Sequence, residues 1–374
     1  MNGTMGGVAA EPWTLREVEA AARARLDPVH YDYFAGGAGD EVTVRANEAA
    51  FARLGLLPRV LRGAGPADPA ITLLGRPAAL PVVIAPTAFH RLADPEGERA
   101  TARAAAAAGT VMIVSMASTV AVEDVAAAAP GARLWFQLYL QPDADFTVRL
   151  ARRAARAGCE ALVVTADSPV FGRRERDLRN GFHDLPGHLR CENLRDDPGE
   201  GPGEGTGGER DDDRGGPVRP IVMDPRLSWA DLDRLRAATG LPIVLKGVTH
   251  PADARLALEH GVAAIMVSNH GGRQLDTVPA AIDLLPDVAA ATGGAVPVLL
   301  DGGVRRGTDV LKALALGATA VAVGRPVLWG LAAGGEAGVA RVLALLRAEV
   351  EQALTLCGCA SPAGLTPDLV RRTC

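Results

Sequence analysis

Residues 242–273 read PIVLKGVTHPADARLALEHGVAAIMVSNHGGR. Two short apolar runs, at 242–246 and 264–268, enclose a stretch with helical spacing at 252–260. An apolar run without polar alternation is typical of a strand that is buried on both faces, and such strands are parallel. The stretch therefore predicts a strand, a helix and a second strand parallel to the first.

The same alternation occurs eight times from residue 81 onward. The strand-like runs are Pro81–Ala85, Val111–Ser115, Leu134–Leu138, Ala161–Thr165, Pro242–Lys246, Ala264–Ser268, Val298–Asp301 and Ala320–Gly324. Helical stretches follow them at 97–108, 122–129, 144–157, 229–238, 252–260, 279–291, 307–316 and 334–356. Eight such units predict an α/β fold with one (β/α)8 TIM barrel over residues 81–360. An open doubly wound sheet is the alternative, but it typically has a phosphate-binding glycine turn after its first strand, and here that turn reads Pro86-Thr87-Ala88.

Residues 1–80 lack this alternation and predict an N-terminal helical extension that packs on the barrel. A helix is predicted over 14–26, because Thr14 and Glu17 have the spacing of a capping box. Residues 31–41 (YDYFAGGAGDE) are rich in glycine and predict a link to a second helix that continues through Phe51.

A long insertion interrupts the alternation after the run at 161–165. Its middle, residues 192–219, is mostly Gly, Pro, Asp, Glu and Arg. We predict that residues 183–222 form a mobile or disordered lid, because they leave the carboxyl end of a strand, which is the catalytic face of such a barrel. A tolerated surface insertion is the alternative. Residues 361–374 are interpreted as a C-terminal tail.

Composition excludes several classes of protein. The chain has 374 residues, 48% of them hydrophobic, and a net charge of -5. It is therefore not disordered as a whole, and the lack of basic excess predicts no nucleic-acid or anionic-membrane partner. The chain has no charge-free apolar stretch of about 18 residues, so no transmembrane helix is predicted.

The start of the chain lacks the pattern of a signal peptide, so we expect a cytoplasmic protein. The cysteines are odd in number and lack the spacing of a metal site or a disulfide framework; they are Cys159, Cys191, Cys357, Cys359 and Cys374.

Polar residues end or directly follow nearly every predicted strand. They are Thr87, Ser115, Gln137, Tyr139, Thr165, Asp167, Lys246, Ser268, His270, Asp301 and Arg325. In a barrel these positions converge on one pocket. Lys246 is one of only two lysines in the chain, so it either pairs with a carboxylate or serves a cofactor or substrate.

His270 is the candidate general base. It follows a buried run, precedes two glycines that permit close approach, and lies near Arg273. A lone histidine is more often structural, so this context carries the prediction. Arg173 and Arg174 follow another run, where an arginine suits bidentate capture of a carboxylate, although exposed arginines are usually solvated.

Glycine-rich segments after the last two strand-like runs predict a phosphate site. They are Asp301–Gly307 (DGGVRRG) and Gly324-Arg325, and backbone N–H groups after strands seven and eight bind phosphate in many of these barrels. With Lys246 nearby, the pattern indicates a phosphorylated cofactor whose ring becomes anionic on reduction.

Together these motifs resemble the FMN-dependent L-2-hydroxy acid oxidase family, which includes glycolate, lactate and mandelate oxidases. The stretches that carry the resemblance are YDYF, APTAF, FQLY, TADSPVFGRR, VSNHGGRQLD, LLDGGVRRGTDVLKALALGA and VGRP. It covers about residues 14–185 and 228–360, and the motifs occur in order at compatible spacing.

The resemblance implies a role for each matching residue. His270 is the base at the substrate α-carbon, Asp167 supports its imidazolium, and Lys246 stabilises the reduced flavin. The implied substrate contacts are Arg174, Arg273, Tyr33 and Tyr139. The implied FMN contacts are Thr87, Ala88, Ser115, Gln137, Thr165, Lys246, Ser268, Asp301, Gly303, Arg305, Gly324 and Arg325. No metal is implied. Oxygen is the expected acceptor, with hydrogen peroxide as product, and a homo-oligomer (tetramer or octamer) is expected.

The sequence departs from the glycolate-oxidase pattern at Ala117, where those enzymes carry a tryptophan. Phe89 and Phe171 are expected to supply aromatic walls, which favours a larger substrate with an aryl or branched side chain. A glycolate or lactate oxidase, or a dehydrogenase that uses a quinone or protein acceptor, is the alternative within the family. Outside it, an FMN isomerase, a nucleotide dehydrogenase or a binding protein on a decayed barrel would not need His270, Arg273 and Arg174 together.

Overall fold

A computed structural model describes residues 12–195 and 218–373. The start of the chain, the middle of the predicted lid at 196–217 and Cys374 lie outside the described residues. The strands are β1 (Leu54–Leu56), β2 (Ile71–Leu73), β3 (Arg76–Ala78), β4 (Val82–Ile84), β5 (Val111–Ser115), β6 (Arg133–Leu138), β7 (Ala161–Thr165), β8 (Ile243–Val248), β9 (Ala264–Ser268), β10 (Val298–Asp301), β11 (Ala320–Val323) and β12 (Val370–Arg372). The helices are α1 (Leu15–Arg25), α2 (Pro28–Ala35), α3 (Val42–Ala52), α4 (Glu98–Ala107), α5 (Val122–Ala128), α6 (Ala144–Arg156), α7 (Glu175–Asn180), α8 (Trp229–Ala238), α9 (Pro251–Glu259), α10 (Ala281–Thr292), α11 (Gly307–Ala315) and α12 (Arg325–Leu356).

Strands β4 to β11 close into an eight-stranded parallel barrel, so the predicted TIM barrel is confirmed. All eight predicted runs form strands within one or two residues of their predicted ends. The register pairs Ser115 with Gln137 and Asp301 with Ser268. The polar residues that end the strands therefore lie at one level, at the barrel mouth.

A hairpin of β2 and β3 packs against the opposite end of the barrel. Leu73 from this hairpin is fully buried together with Val111, Trp135 and Val163, whose side chains point into the barrel. Arg133, at the start of β6, donates to the carbonyl oxygen of Leu73 at 3.2 Å. This end is apolar inside and closed, which leaves the mouth as the open end.

The N-terminal extension differs from the prediction in one helix and several strands. The predicted first helix is present as α1, with the capping box of Thr14 and Glu17. The predicted link at 31–41 was wrong in its first half, because α2 continues to Ala35. Asp27 caps α2 by accepting from the backbone N–H of Val29, and Pro28 at the first turn favours the helix. The extension also contains β1, β2 and β3.

The last helix is longer than predicted, and the tail is ordered. Helix α12 begins at Arg325, with non-helical backbone at Gly334 and Gly335. Within 12–195 and 218–373, α12 is the one helix long and apolar enough to cross a membrane, and 44% of its most apolar window is buried inside the fold. The tail forms β12, which pairs with β1.

The described flanks of the insertion are packed on the barrel, in contrast to the predicted disorder. Leu194 is 1% exposed, and the buried amide of Asn193 donates to the carbonyl oxygen of Ser115. Arg195 and Val218 form a β-bridge. The flanks are anchored by the buried side chains of Leu189, Asn193 and Leu194. The polar composition of residues 192–219 as a whole obscured these anchors in the sequence.

Candidate active site

A pocket of about 350 Å³ lies at the barrel mouth. Its walls contain almost all of the residues predicted from the sequence. They are Tyr33, Thr87, Ala88, Phe89, Ser115, Ala117, Gln137, Tyr139, Thr165, Phe171, Arg174, Lys246, His270, Arg273, Asp301, Gly303, Arg305, Gly324 and Arg325. Ser268 and Asp167 do not line the pocket and lie behind Lys246 and His270, respectively.

His270 and Asp167 form the hydrogen-bonded pair predicted for proton abstraction. The Nδ1 of His270 is 2.8 Å from the Oδ1 of Asp167. Burial by itself would raise the pKa of Asp167, but the His270 ring, with a smaller contribution from Lys246, outweighs it and lowers that pKa. An ionised Asp167 accepts the hydrogen bond from Nδ1, which leaves Nε2 as the ring nitrogen available for proton transfer.

Two arginines and Tyr33 form a cationic corner of the pocket. The Arg273 guanidinium lies 5.0 Å from the centroid of the Tyr33 ring, and that of Arg174 lies 5.6 Å from it. Arg174 also donates through Nε to Asp177 at 2.6 Å. Desolvation, with the neighbouring Arg174, lowers the pKa of Arg273. A site that holds two such cations favours an anionic ligand, and paired guanidiniums suit a carboxylate.

Aromatic rings line the same pocket as Ala117. Tyr33 stacks on Phe89 with centroids 5.3 Å apart and contacts Phe182 at 4.9 Å. Tyr139 lies parallel to the His270 ring at 6.5 Å, and burial raises the pKa of its hydroxyl. Phe171 lines the pocket but is 57% exposed, so it forms the rim of the pocket.

Hydrogen bonds order the polar floor of the pocket. Ser115 donates to the Oε1 of Gln137 at 3.0 Å, and the Nε2 of Gln137 donates to Thr165 at 3.2 Å. Lys246 lies 3.3 Å from the Oδ2 of Asp301, and both contact the hydroxyl of Ser268. The floor therefore combines amide and hydroxyl groups with one buried ammonium group, a donor set that suits a polar heterocycle which gains negative charge.

The predicted phosphate end also fits a phosphorylated cofactor. Arg305 pairs with Glu48 through Nη2 at 2.8 Å, while its buried Nε has no hydrogen-bond partner among the described residues. Gly303 has φ +82°, and a Cβ there would lie 2.1 Å from the carbonyl oxygen of Asn47, so only glycine fits. A buried unpaired donor beside glycine backbone is the chemistry that a phosphate needs. In contrast, the Arg325 side chain donates to three backbone carbonyls.

Several residues of the site were missed by the sequence interpretation. Ser168 donates to Asp167 at 3.1 Å and accepts from Gln274, whose Oε1 accepts from the N–H of Gly172 at 2.6 Å. The buried His90 contacts the hydroxyl of Thr87 at 2.7 Å, and burial lowers its pKa. Ser168 and Gln274 each adjoin a predicted catalytic or substrate residue, so proximity in sequence was the available signal. No pattern singles out His90.

Comparison with known proteins gives concordant matches. The sequence profile described as FMN-dependent dehydrogenase matches residues 22–372. Glycolate oxidase of Spinacia oleracea is 48% identical over 347 residues, which are 93% of this chain and 92% of that protein. L-lactate oxidase of Nostoc sp. is 46% identical over 360 residues, which are 94% of this chain and 95% of that protein. A crystal structure of mandelate oxidase with benzoyl-formic acid has a TM-score of 0.85 and 43% identity, covering 96% of this chain and 98% of that one.

Proposed function

The chain belongs to the family of FMN-dependent dehydrogenases, and we propose that it oxidises 2-hydroxy acids with a large side chain, aryl as in mandelate or branched. Its cofactor is FMN, and its reaction class is that of the (S)-2-hydroxy-acid oxidases. The observation that carries the proposal is the presence of His270, two arginines and the small Ala117 in one pocket.

The arginines bind and orient the substrate carboxylate. Arg273 donates through Nη1 to the carbonyl oxygens of Tyr33 and Gly36. Other N–H groups of the two arginines donate to no protein group among the described residues. They are those of Nε and Nη2 of Arg273 and of both Nη atoms of Arg174. These N–H groups are the donors we assign to the carboxylate, since guanidinium binds carboxylate through two parallel hydrogen bonds. The pair thereby holds the α-carbon at a fixed position near His270.

Oxidation of the hydroxy acid to the 2-oxo acid releases two electrons and two hydrogens, and His270 removes one of these hydrogens as a proton. Its Nε2 accepts the proton, and Asp167, 2.8 Å from Nδ1, stabilises the imidazolium that results. A bound FMN would supply the acceptor for the two electrons and for the other hydrogen. Lys246 supplies a buried positive charge at the pocket floor, where it stabilises developing negative charge.

The preference for a large side chain rests on the space beside Ala117. This residue is 6% exposed and lies in the pocket wall with the aromatic side chains of Tyr33, Phe89 and Phe182. At about 25 cal/mol per Å² of buried apolar surface, a phenyl ring contributes on the order of 2 kcal/mol. That corresponds to about 30-fold in kcat/KM if the contact is made in the transition state.

Ala117→Trp tests this preference. The wild type is expected to have a higher kcat/KM for L-mandelate than for L-lactate or glycolate, and the tryptophan is expected to reverse that order by filling the space. The conservative variant Ala117→Ser is the control and should keep the wild-type order. If glycolate is the best of the three substrates for the wild type, His183 and Ile221 of the insertion, which also line the pocket, have taken up the space.

Oxygen is the acceptor in this proposal, and hydrogen peroxide is the product. The test is peroxide release by the FMN-loaded protein with a panel of L-2-hydroxy acids. Turnover that requires an added quinone or redox protein, with no peroxide in air, would replace oxygen with another acceptor. We further propose that the protein is a homo-oligomer and that it is cytoplasmic. A reducing cytoplasm suits its free thiols, which are those of Cys159, Cys191, Cys357 and Cys359.

A further inference from the structure

Arg325 connects two segments of the active site through backbone carbonyls. It begins α12 directly after β11, and it lines the pocket. Its Nε donates to the carbonyl oxygen of Phe34 at 3.0 Å, and its Nη2 donates to that of Gly36 at 2.9 Å. Its Nη1 donates to the carbonyl oxygen of Gly271 at 3.0 Å. The first two acceptors lie at the end of α2, and the third lies in the turn that follows His270.

Among the described residues, Arg325 and Arg273 have no carboxylate within 4.0 Å, whereas the other lysine and arginine side chains of the pocket have such partners, as Arg174 has in Asp177. Lys246 pairs with Asp301, and Arg305 pairs with Glu48. Desolvation, with the positive charges of Arg273 and Arg305, lowers the pKa of Arg325 to about 9. A cation enclosed without an ion pair costs free energy. Its three hydrogen bonds to carbonyl groups are the compensation that the structure provides.

The Gly271 carbonyl that Arg325 holds belongs to an unusual turn. His270 has φ +57° and Gly271 has φ +60°, so a non-glycine residue adopts the left-handed conformation at the catalytic position. Such a conformation is strained for a non-glycine residue and persists only when its surroundings fix it. A Cβ at position 271 would lie 2.9 Å from the Nη1 of Arg325, so the glycine permits the close approach of the guanidinium.

The other two hydrogen bonds act on the segment that carries Tyr33. The carbonyl oxygen of Gly36 accepts from both Arg325 and Arg273, at 2.9 and 2.8 Å. Arg273 also donates to the carbonyl oxygen of Tyr33 at 2.7 Å. The end of α2 is therefore fixed by two guanidiniums, and one of these belongs to a residue that binds substrate.

We propose that the Arg325 side chain is a positioning residue for the substrate side of the pocket. It fastens the end of α2 to the His270 turn, so that Tyr33, Arg273 and His270 keep their relative positions. The sequence led us to expect that Arg325 contacts the cofactor, and the proposed positioning role differs from that. This inference rests on the proposed function, which assigns Tyr33, Arg273 and His270 to the substrate. A lysine cannot replace the arginine, because one ammonium group does not reach three carbonyls that lie in different directions.

The first experiment compares Arg325→Ala and Arg325→Lys with Arg305→Ala. We expect both Arg325 variants to lose about 10²-fold in kcat/KM, as for a small misplacement of reacting groups, while the dissociation constant of FMN changes less than about threefold. Arg305→Ala, at the phosphate end, should instead raise the FMN dissociation constant by about tenfold or more. A rise in the FMN dissociation constant of Arg325→Ala equal to that of Arg305→Ala would overturn the proposal in favour of a cofactor role.

Chemical rescue separates positioning from general damage to the fold. Guanidinium ion added to Arg325→Ala should restore kcat/KM by about tenfold, whereas the same concentration of ammonium ion should not. Equal recovery with both ions, or with neither, would contradict the role of the hydrogen-bonding fork. If Arg325→Ala does not fold, Arg325→Lys decides the question: kcat/KM within about threefold of the wild type overturns the proposal.

Hydrogen exchange gives a readout that is independent of turnover. In the FMN-loaded protein, Arg325→Lys should accelerate amide exchange in residues 28–41 and 269–274, and Arg305→Ala should not accelerate it in these two segments. Unchanged exchange in both segments contradicts the proposal even if activity falls. If the wild type oxidises no 2-hydroxy acid, the proposed function fails by itself, and the exchange result still supports or overturns the positioning role.

Discussion

The two ends of the barrel are built from the same eight strands and differ in almost every chemical respect. At the closed end, Leu73 from the hairpin packs with Val111 and Trp135, and all three are fully buried. At the mouth, Lys246, Asp301 and Ser268 are buried as well, but they are polar and joined by hydrogen bonds. The apolar end contributes to the stability of the fold, whereas the buried charge at the mouth is the part of the barrel that the proposed reaction uses.

The largest change is expected from the mouth, through Asp167→Asn. Replacing the carboxylate leaves the His270 imidazolium without its counter-charge, so kcat should fall by about 10²–10⁴-fold. The free energy of unfolding and the FMN dissociation constant should change little. Steady-state kinetics and a cofactor titration measure these quantities. A decrease in kcat of less than about tenfold would mean that Asp167 has no part in the reaction.

The closed end should respond in the opposite way. Leu73→Ala removes a fully buried side chain and should lower the free energy of unfolding by about 2–5 kcal/mol, with kcat/KM unchanged in the protein that remains folded. Leu356→Ala is the matched control, because that side chain is 68% exposed, and it should stay within about 0.5 kcal/mol of the wild type. Denaturant titration measures both. Loss of kcat/KM in folded Leu73→Ala would remove the division of roles between the two ends.

The smallest change is expected at Gln274, which lines the pocket and contacts Asp167 only through Ser168. Its side chain joins Ser168 to the N–H of Gly172, so Gln274→Ala should lower kcat/KM by about 3–10-fold through loss of these hydrogen bonds. Gln274→Glu retains only the acceptor for Gly172 and should give an intermediate value. If kcat/KM of Gln274→Ala equals that of the wild type, the network around Ser168 does not support the reacting groups.

The barrel was predictable because its signal is local. Each buried run such as 264–268 stands between helical stretches, and eight repeats leave little choice of topology. Residues such as His270 could be predicted because their position at the end of a strand fixes where they lie. Helix α2 was not predicted. The glycines at 36 and 37 led to a predicted link at 31–41, although Asp27 and Pro28 carry the start signal of a helix.

The partners within the site could not be predicted in the same way. The hydrogen bonds of Arg325 reach Phe34 and Gly36, about 290 positions away in the sequence. Their acceptors are backbone carbonyls, which every residue has, so no residue type marks them. The contact between His90 and Thr87 depends on a left-handed conformation at Phe89, which residue types do not specify.

Anaerobic reduction of the bound flavin isolates the step assigned to His270 from reoxidation by oxygen. Wild-type protein and His270→Ala are mixed with L-mandelate without oxygen, and the loss of flavin absorbance is followed in time. We expect the wild type to be reduced, and His270→Ala, with FMN still bound, to be reduced about 10²–10⁴-fold more slowly or not at all. Reduction of His270→Ala within about tenfold of the wild-type rate would show that another group removes the proton.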